Sequence, residues 1–522
     1  MVATGPWPSQ APYPKHHFSE LLRLSAERLP DKPALIDIDE KAYTYREVWD
    51  ASRKLARFLQ REANLTKGET VALFTPNCPE FAVALHGALL CGAKVTTLNP
   101  LYREREVEHQ LDDAEAVAVF TAKALVPTVQ EVKARLPKVR RVIEIENLWQ
   151  LIADEAAEFE PVAIDAERDI AVLPYSSGTT GLPKGVMLSH YNLTSNIRQM
   201  EGIGLTTEQS VILAFLPFFH IYGLMVLLNG SLAMGGTCLV MPRFDPDQVL
   251  YLIEKYRVTD FYVVPPALLA LVHHPGLEHH DHSSLRFVLS GAAPLPPEVG
   301  EMAAERFGCP MIQGYGLTET SPLTNANPLD AAKPLSAGAV VPDTLEKVVD
   351  AESLEELPVG ETGELLIQGP QVMLGYWKSP DATAASIIGE GADRWLRTGD
   401  IARLDEDGYV YIVDRAKEMI KYKGYQVAPA ELEGVIMEHP SVLDAAVIPK
   451  RDFEAGEVPK AFVVLREGQE ASALDVMLFV EERVAPYKKL RELEFVPSIP
   501  KTASGKILRR ELIEAERAKA AK

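Results

Sequence analysis

Short β-branched segments that alternate with helical patterns constrain the fold of this chain more than any other feature of its sequence. Thr70–Phe74 precedes a helical segment that begins at Pro79, residues 117–120 precede another, and residues 261–264 run into a pair of prolines. Regular alternation of this kind is typical of βαβ units, in which helices cover a mostly parallel sheet. We therefore predict an α/β fold, and we expect ligands to bind where the strands end.

The length of the chain and a change in its sequence pattern along the chain predict more than one domain. A chain of 522 residues exceeds one ordinary hydrophobic core. After about residue 335 the sequence turns to glycine-punctuated β segments, and its last hundred or so residues read as a small α+β unit with a helix that starts near Pro429. The densely charged stretch 414–421 lies between them and predicts a connector. We predict an N-terminal domain of residues 1–414, with a β-rich subdomain at about 335–414, and a C-terminal domain of residues 415–522.

The charge balance restricts the partners of this chain. Its formal net charge is −21, which argues against nucleic acid and anionic membranes as non-specific partners. An anionic substrate therefore needs a local basic site. With 47% hydrophobic and 24% charged residues, the chain has the composition of a globular protein rather than a disordered one.

Cysteines and apolar segments predict a cytoplasmic protein without a transmembrane segment. The cysteines are far apart and form no C-x-x-C pair, so we expect free thiols at Cys78, Cys91, Cys238 and Cys309. The N-terminus lacks the basic and apolar regions of a secretory signal. The longest apolar segments, 81–93 and 221–234, are short for a membrane span, so we predict buried helices there.

A loop rich in glycine and hydroxyl groups is the most specific chemical feature. Residues 175–185 read Tyr-Ser-Ser-Gly-Thr-Thr-Gly-Leu-Pro-Lys-Gly and lie between two apolar β segments. Glycines let backbone N–H groups approach anionic oxygens, hydroxyls add donors, and Lys184 adds a positive charge. The pattern indicates a loop that binds a triphosphate, and a flexible surface turn is the alternative. It is not a Walker A loop, because Gly185 follows Lys184 and Gly181 stands three residues before it.

This loop resembles the signature of the adenylate-forming superfamily, which includes acyl-CoA synthetases, 4-coumarate-CoA ligases, firefly-type luciferases and the adenylation domains of peptide synthetases. Further matches follow in the same order, at 313–319 (Gln-Gly-Tyr-Gly-Leu-Thr-Glu), 395–400 (Trp-Leu-Arg-Thr-Gly-Asp), 414–415 (Asp-Arg) and 500–509 (Pro-Lys-Thr-Ala-Ser-Gly-Lys-Ile-Leu-Arg). The string at 421–433, Lys-Tyr-Lys-Gly-Tyr-Gln-Val-Ala-Pro-Ala-Glu-Leu-Glu, is the form of the acyl-CoA synthetases, 4-coumarate-CoA ligases and luciferases. The resemblance implies an AMP-dependent synthetase and ligase, whose large N-terminal domain stacks two α/β subdomains and a β-rich one before a small mobile α+β domain.

By this resemblance, ATP and Mg²⁺ bind among the matching segments. Tyr315 stacks on adenine, and Thr318 meets the α-phosphate. Asp400 accepts hydrogen bonds from the ribose hydroxyls with Arg415 beside it, and Glu319 holds the magnesium ion. Each of these residues taken alone also fits an ordinary turn or a surface charge. The implied ATP and AMP site comprises Ser176, Ser177, Gly178, Thr179, Thr180, Lys184, Gln313, Gly314, Tyr315, Thr318, Asp400, Arg415 and Lys506.

The resemblance also implies two half-reactions in two domain arrangements. Lys506 neutralises charge on the carboxylate and the α-phosphate during adenylation, and His220 lies near that carboxylate. Rotation of the small domain about a hinge at Lys417 then replaces Lys506 with the face at 421–426, where the thiol of coenzyme A attacks. The implied catalytic residues are His220, Thr318, Glu319, Lys421, Gln426 and Lys506. Coenzyme A is expected at Arg243, Lys423 and Gly424. A plain surface charge is the alternative for Arg243.

The aligned motifs imply an acyl pocket that is nearly all apolar. Its residues are Tyr222, Val226, Leu289, Ala292, Gly314, Gly316, Pro322 and Leu323. Plant 4-coumarate ligases tend to have polar groups where Val226 and Leu289 stand, so we expect a medium or long aliphatic acid or an unsubstituted aryl acid as substrate. Two alternatives stay open: a 4-coumarate-CoA ligase proper, and a catalytically silent sensor of nucleotide or acyl group. A luciferase is disfavoured, since no residue reveals a luciferin pocket. We expect a monomer or a homodimer.

A histidine-rich stretch at 279–282, His-His-Asp-His, has the composition of a metal site. It lies in a polar stretch before two serines and matches no ligand set of the superfamily. We therefore predict a solvated loop there and no zinc site.

Overall fold

The computed structural model of the protein describes residues 2–176, 183–415, 418–422, 425–452, 455–484, 486–502 and 505–520. It is a mixed α/β structure with a large N-terminal part and a small C-terminal part, as the sequence predicts. Its α-helices within these ranges are, in chain order, α1 (Glu20–Arg28), α2 (Tyr45–Glu62), α3 (Pro79–Leu90), α4 (Glu104–Asp113), α5 (Val126–Lys133), α6 (Leu148–Leu151), α7 (His190–Ile203), α8 (Gly230–Met234), α9 (Pro246–Tyr256), α10 (Pro265–Val272), α11 (Pro297–Phe307), α12 (Pro380–Ser386), α13 (Pro429–Met437), α14 (Ala473–Glu481) and α15 (Arg509–Ala520).

The strands of the described residues are, in chain order, β1 (Pro33–Asp37), β2 (Ala42–Thr44), β3 (Thr70–Phe74), β4 (Lys94–Thr97), β5 (Ala116–Thr121), β6 (Arg141–Glu144), β7 (Ile170–Val172), β8 (Tyr175–Ser176), β9 (Lys184–Ser189), β10 (Val211–Ala214), β11 (Thr237–Val240), β12 (Asp260–Val263), β13 (Phe287–Ser290), β14 (Met311–Gly316), β15 (Leu323–Ala326), β16 (Ala339–Val340), β17 (Leu345–Val349), β18 (Gly363–Gln368), β19 (Gly375–Tyr376), β20 (Ile387–Ile388), β21 (Trp395–Leu404), β22 (Val410–Arg415), β23 (Ile420–Tyr422), β24 (Tyr425–Val427), β25 (Val442–Asp452), β26 (Gly456–Leu465) and β27 (Glu492–Phe495).

Two large sheets form most of the N-terminal part. Among the described residues, the first has the order β16-β15-β14-β13-β12-β10-β11-β1-β2, and its strands from β14 to β1 run parallel. The second has the order β19-β9-β7-β4-β3-β5-β6, with β8 beside β9, and is parallel from β7 to β6. A third sheet, β17-β18-β21-β20 with β22 on β21, forms the predicted β-rich segment. The predicted α/β class is therefore confirmed.

Local sequence explains where several helices begin. At α2, the Thr44 side chain accepts the N–H of Glu47 while the Glu47 carboxylate accepts the N–H of Thr44. Such a reciprocal cap stabilises a helix start by about 1 kcal/mol. The helices α10 and α11 begin at Pro265 and Pro297, where the missing N–H of proline costs nothing.

The two apolar segments are buried helices, as predicted. All of α3 except its second residue is buried, and the segment after residue 221 forms a π-helix, Tyr222–Asn229, that continues into α8. No helix within the described ranges combines the length and the apolarity that a bilayer crossing needs. The four cysteines are free thiols, as expected.

The C-terminal part has its own sheet and core. Within the described residues the sheet order is β24-β23-β26-β25, with β27 parallel to β26. Helices α13 and α14 pack on it over a cluster that includes Ile420, Val447, Val463 and Val476. This arrangement confirms the small α+β unit, whereas the boundary at residue 414 stays a prediction.

One local prediction is wrong. Residues 414–415 end the strand β22 rather than belonging to a connector, because β22 extends its pairing with β21 through Arg415. Asp414 is 6% exposed, and its Oδ2 accepts the N–H of Ala430 at 2.8 Å. The stretch 279–282 lies at the surface as predicted, with His279 and Asp281 exposed, and two of its histidines have hydrogen-bond partners. His280 Nδ1 lies 2.7 Å from Glu254 Oε2, and His282 Nε2 lies 2.9 Å from the carbonyl oxygen of Arg306.

Candidate active site

Antiparallel pairing brings the two ends of the glycine-rich loop together. Ser176 in β8 pairs with Lys184, the first residue of β9. Outside the described residues lie Ser177, Gly178, Thr179 and Thr180. The described ends place one hydroxyl and one lysine at the neck of a hairpin.

Glu319 lies beside this hairpin, in the 3-10 turn Thr318–Thr320. Its Oε1 accepts hydrogen bonds from the Ser176 hydroxyl at 3.0 Å and from the Tyr376 hydroxyl at 2.8 Å. Tyr376 belongs to β19, which pairs with β9, and Lys184 Nζ lies 5.6 Å from the centre of its ring. Two hydroxyls on one oxygen therefore orient the carboxylate beside the lysine, and hairpin and turn form one site.

Tyr315 and Asp400 come from different sheets and meet at this site. The Tyr315 hydroxyl donates a hydrogen bond of 2.5 Å to Asp400 Oδ2, and Asp400 is 3% exposed. Asp400 in β21 pairs directly with Arg415 in β22. Asp400 and Arg415, which the resemblance assigns to the ribose, are therefore neighbours in the β-rich sheet. The side chain of Arg415 lies outside the described parts.

Glycines in β14 permit close packing of the next strand. A Cβ on Gly316 would lie 2.1 Å from the carbonyl oxygen of Pro322, so a larger residue does not fit. A Cβ on Gly314 would lie 3.5 Å from a methyl of Leu289 and 3.7 Å from a methyl of Leu323. The first four residues of the motif at 313–319 thus belong to β14, which ends at Gly316. The Gln313 side chain, also assigned to the nucleotide, donates to the carbonyl oxygen of Pro334 at 2.7 Å.

His220 is held in one tautomer. The backbone N–H of Tyr222 donates to His220 Nδ1 at 3.2 Å. Burial, and then the positive charge of Lys506, lower the pKa of the His220 imidazole to about 4, so the ring is neutral at pH 7. When Nδ1 of a neutral ring accepts, Nε2 carries the proton and can donate it to a carboxylate oxygen. The Thr97 hydroxyl fixes the preceding peptide by donating to the carbonyl oxygen of Phe219 at 2.7 Å.

The π-helix that follows His220 carries part of the predicted acyl pocket. A Cβ on Gly223 would lie 2.2 Å from the carbonyl oxygen of Pro217, so the tight start of this helix requires glycine. Such π segments occur frequently at functional sites. Tyr222 packs over Gly291, whose Cβ would lie 3.3 Å from the Tyr222 ring, and its hydroxyl lies 3.5 Å from the carbonyl oxygen of Leu289.

The other predicted pocket residues differ in their exposure. Val226 is 7% exposed and Pro322 is buried. Ala292 is exposed and has a φ of 69°, a conformation that residues other than glycine rarely adopt. Strained positions of this kind occur more often at ligand sites than elsewhere.

A cavity of about 50 Å³ lies between His220 and Thr318. Its wall also includes Tyr175, Asn99 and Tyr102, of which the last two come from the segment after β4. The neutral His220 and Thr318 therefore line one small polar space.

The loop that carries Lys506 lies against the N-terminal part. It is closed by two hydrogen bonds, from the Thr502 N–H to the Lys506 carbonyl oxygen at 2.8 Å and from the Lys506 N–H to Thr502 Oγ1 at 3.0 Å. Gly505 has a φ of 82° and packs so closely on α10 that a Cβ would lie 2.7 Å from Pro266 Cδ. Since the charge of Lys506 also lowers the pKa of His220, the two residues share one site.

The remaining predicted residues have no described contact with this site. Arg243 is exposed in the segment between β11 and α9. Lys421 and Gln426 pair through their backbones in β23 and β24. Outside the described residues lie Lys417, Lys423, Gly424 and the side chains of Lys421 and Gln426.

The chemistry at Glu319 fits a magnesium ion held together with a nucleotide. In the part of the chain that the structure describes, no group of three or more His, Cys, Asp or Glu side chains could hold a metal ion by itself. Magnesium usually binds one or two carboxylates together with water and substrate phosphates rather than an all-protein cage. Glu319 supplies one oriented carboxylate beside Lys184, which suits an ion that arrives with phosphate.

Comparison with known proteins identifies the family. Residues 22–377 match the family described as AMP-binding enzyme, and residues 431–506 match the AMP-binding enzyme C-terminal domain. The chain belongs to the AMP-binding enzyme family. The superfamily predicted from the sequence is confirmed.

Relatives of this AMP-binding enzyme match nearly its whole length. The 4-coumarate–CoA ligase of Pinus taeda is 42% identical over 92% of this chain and 91% of the relative. The long-chain-fatty-acid–CoA ligase of Bacillus subtilis is 37% identical over 98% of this chain and 96% of the relative. The crystal structure of the anthranilate CoA ligase AuaEII in complex with anthranoyl-AMP superposes with a TM-score of 0.91 at 29% identity, covering 99% of this chain and 100% of that one. This member of the family is therefore an acid–CoA ligase.

Sequence reasoning missed Tyr376 and Thr97. Tyr376 touches Glu319 because β19 pairs with β9, and Thr97 holds the peptide before His220 because β4 ends beside it. A glycine followed by an aromatic residue, as at 375–376, reads as an ordinary turn signal. A single sequence does not reveal which distant strand a short segment such as 375–376 pairs with.

Proposed function

We propose that this acid–CoA ligase first forms an acyl-adenylate from ATP and a hydrophobic carboxylic acid, and then transfers the acyl group to coenzyme A. The observation that carries the proposal is the packing of the Lys506 loop on the N-terminal part at Pro266, which lets the charge of Lys506 act on His220 beside the cavity at Thr318. His220 and Thr318 line one small space, and the positive charge of Lys506 acts on the His220 ring. Fixed groups of this kind stabilise charge that develops when a carboxylate attacks a phosphate.

Adenylation solves a leaving-group problem. A carboxylate does not react with a thiol at a useful rate, because its leaving group would be oxide. In the first step a carboxylate oxygen attacks the α-phosphorus of ATP and the bond to pyrophosphate breaks. In the second step the sulfur of coenzyme A attacks the acyl carbon, the thiol proton is lost and AMP leaves with the bonding electrons.

The described residues divide the first step among them. His220 Nε2–H orients the carboxylate, and Lys506 balances the negative charge that carboxylate and phosphate bring together. Thr318 donates to the α-phosphate. Holding both reactants in line contributes much of the rate, since well-oriented groups react as if at very high concentration.

ATP lies between the hairpin and the β-rich sheet in this proposal. Ser176 and Lys184 bind its outer phosphates, and Asp400 accepts hydrogen bonds from the ribose. A magnesium ion at Glu319 would neutralise phosphate charge when bound. The hydrogen bonds from Ser176 and Tyr376 support that role, because they hold the Glu319 carboxylate in one orientation.

The thioester step uses a second arrangement of the small domain. The proposed hinge is Lys417, and rotation brings the 421–426 face, with Lys421 and Gln426, to the acyl carbon. Coenzyme A then passes Lys423 and Gly424, with its nucleotide near Arg243. Because the chain carries a net charge of −21, isolated basic residues have to supply the local field for the phosphates of coenzyme A.

The proposed substrate is a medium or long aliphatic acid or an unsubstituted aryl acid. Apolar side chains support it, since Val226, Leu289 and Leu323 offer no hydrogen-bond partner for a phenol. Apolar walls discriminate weakly, by about 1 to 3 kcal/mol per methylene, so we expect a broad range of acids. A hydroxycinnamate is the second candidate, because the Pinus taeda 4-coumarate–CoA ligase is 42% identical.

An acid panel tests the proposal. Incubation with ATP, magnesium and hydroxylamine traps acyl-adenylates as hydroxamates, and mass spectrometry with coenzyme A measures the thioesters. We expect the highest yields from aliphatic acids of medium or long chain or from unsubstituted aryl acids. A preference for coumarate would support the second candidate, and no hydroxamate with any acid would refute adenylation.

A further inference from the structure

Arg509 is a buried guanidinium three residues after Lys506, and the proposed function does not use it. Its side chain is 10% exposed, whereas that of its neighbour Arg510 is 70% exposed. Burial of a charge costs free energy unless partners compensate for it. The contacts of Arg509 therefore indicate its role.

The guanidinium joins three segments of the small domain. Its Nε donates to Glu418 Oε2 at 2.6 Å, and its two terminal nitrogens hold the carboxylate of Glu433, with Nη2 at 3.0 Å from Oε2. Nη1 also donates to the carbonyl oxygen of Val447 at 3.3 Å. Glu418 directly follows the proposed hinge, Glu433 belongs to α13 and Val447 belongs to β25. One planar group thus ties the hinge side of the domain to its core.

The same contacts fix one end of the loop that carries Lys506. The other end is fixed by Lys501, which forms a β-bridge with Ile507 and whose Nζ lies 2.6 Å from Asp444 Oδ2. Between these two anchors lies Lys506, whose charge reaches His220. A shift of the Arg509 anchor therefore moves Lys506 relative to the reacting groups.

Carboxylates surround Arg509 from both sides of the proposed hinge. Burial alone lowers the pKa of a guanidinium, but Glu433, Glu418 and Asp414 together raise that of Arg509 above its ordinary value. Asp414 belongs to β22, before the proposed hinge, and its Oδ2 accepts the N–H of Ala430 in α13. The arginine is thus charged and held at the junction of the two parts.

We propose that Arg509 is a positioning residue for adenylation, which holds Lys506 at the reacting carboxylate and phosphate by clamping the end of its loop to Glu418 and Glu433. The inference rests on the proposed two-step function. A guanidinium suits this role because its rigid fork binds two carboxylates at once, whereas an ammonium is a single point charge. Since thioester formation does not use Lys506, that step should be spared.

The test compares Arg509→Lys with the matched control Arg510→Lys, and Glu418→Gln serves as a milder variant. ATP–pyrophosphate exchange measures adenylation, and thioester yield from a supplied acyl-adenylate measures the second step. We expect Arg509→Lys to slow adenylation by about 10-fold to 100-fold, the size of effect that a misplacement near 1 Å produces. Glu418→Gln should slow it less, Arg510→Lys should leave it unchanged, and the second step should keep its rate in all three.

A second measurement reports the position of Lys506 without turnover. In NMR titrations of the His220 ring, Arg509→Lys should raise the pKa of His220 toward its value in Lys506→Ala. In the Lys506→Ala background, Arg509→Lys should add no further shift, because the arginine acts through the lysine.

Several outcomes would overturn the proposal. Equal losses in both steps for Arg509→Lys and for Glu418→Gln would assign Arg509 to the stability of the domain alone. An unchanged His220 titration in Arg509→Lys would show that Lys506 has not moved. A failure of wild type to form any adenylate would refute the proposed function instead, and the NMR titration would still decide the role of Arg509.

Discussion

The Tyr376 hydroxyl donates a hydrogen bond of 2.8 Å to Oε1 of Glu319. The same oxygen accepts a hydrogen bond from the Ser176 hydroxyl at 3.0 Å. Two donors therefore hold Oε1, and this fixes the direction in which the other carboxylate oxygen, Oε2, points. Groups that hydrogen-bond a metal ligand fix its orientation and tune its affinity. We therefore expect Tyr376 to control metal binding rather than the chemical step.

Tyr376→Phe should weaken the binding of Mn²⁺ with a non-hydrolysable ATP analogue by about 10-fold, because the loss of such an orienting partner costs 10-fold to 100-fold in metal affinity. Electron paramagnetic resonance of free and bound Mn²⁺ measures this without turnover. Tyr411→Phe is the matched control, since the Tyr411 hydroxyl also donates to a carboxylate, Asp405, at 3.2 Å. Equal Mn²⁺ affinity in both variants would contradict the prediction.

Lys506→Ala should separate the two half-reactions. Removal of one preorganised charge should slow adenylation by about 10² to 10³, whereas thioester formation from a supplied acyl-adenylate should stay close to wild type. Hydroxamate trapping measures the first step, and mass spectrometry of the thioester measures the second. Lys519→Ala is the control, because Lys519 is exposed and its described contacts, Glu494 and the ring of Phe462, both lie within the C-terminal part. If both steps fall together, the two-arrangement mechanism is wrong.

The sequence predicts the elements of this fold well where local chemistry decides them. Thr70–Phe74 forms β3 with the predicted bounds, and α3 begins at Pro79, where the sequence predicts a helical segment to start. Apolar periodicity and proline positions act within a few residues, so one sequence suffices to read them. The charges at 414–415 predicted a connector, which is wrong because Asp414 is buried against α13. Its hydrogen bond with Ala430 joins segments that the local sequence pattern does not relate.

The candidate site is predicted in part. The motifs name Ser176 and Glu319, and the structure brings the two into contact. Tyr376 and Arg509 were missed, because their roles depend on the pairing of β19 with β9 and on the packing of α15 beside α13. Contacts between distant segments follow from the whole packed structure, and no spacing rule within one sequence encodes them.

Glu346 gives the protein a pH-dependent stability. It is fully buried in β17, its Oε2 accepts the Asn325 amide at 3.0 Å, and burial raises its pKa from 4.5 to about 8. The folded state therefore keeps a proton that the unfolded chain releases. The contribution of Glu346 to stability is fully present below about pH 4.5 and is lost as the pH rises toward about 8.

Glu346→Gln should remove this dependence. The neutral amide needs no proton, so the variant should lose less of its free energy of unfolding than wild type between pH 5 and pH 8, and it should be the more stable of the two at pH 8. Urea unfolding at several pH values measures the difference. The exposed Glu352→Gln is the control, and it should follow wild type. Parallel curves for wild type and Glu346→Gln would show that Glu346 does not titrate in this range.

Gly314→Ala should narrow the proposed acyl pocket. The added methyl would stand 3.5 Å from Leu289 and 3.7 Å from Leu323, which is ordinary contact, and 3.2 Å from the carbonyl oxygen of Asn325, which has to move slightly. The space lost is about one methylene, worth about 1 to 3 kcal/mol, so kcat/KM for the longest accepted acid should fall about 10-fold or more relative to shorter acids. Gly434→Ala is the control, because a Cβ there meets nothing within 4 Å. A uniform loss across all chain lengths would place Gly314 outside the acyl pocket, since only a wall of that pocket distinguishes acids by size.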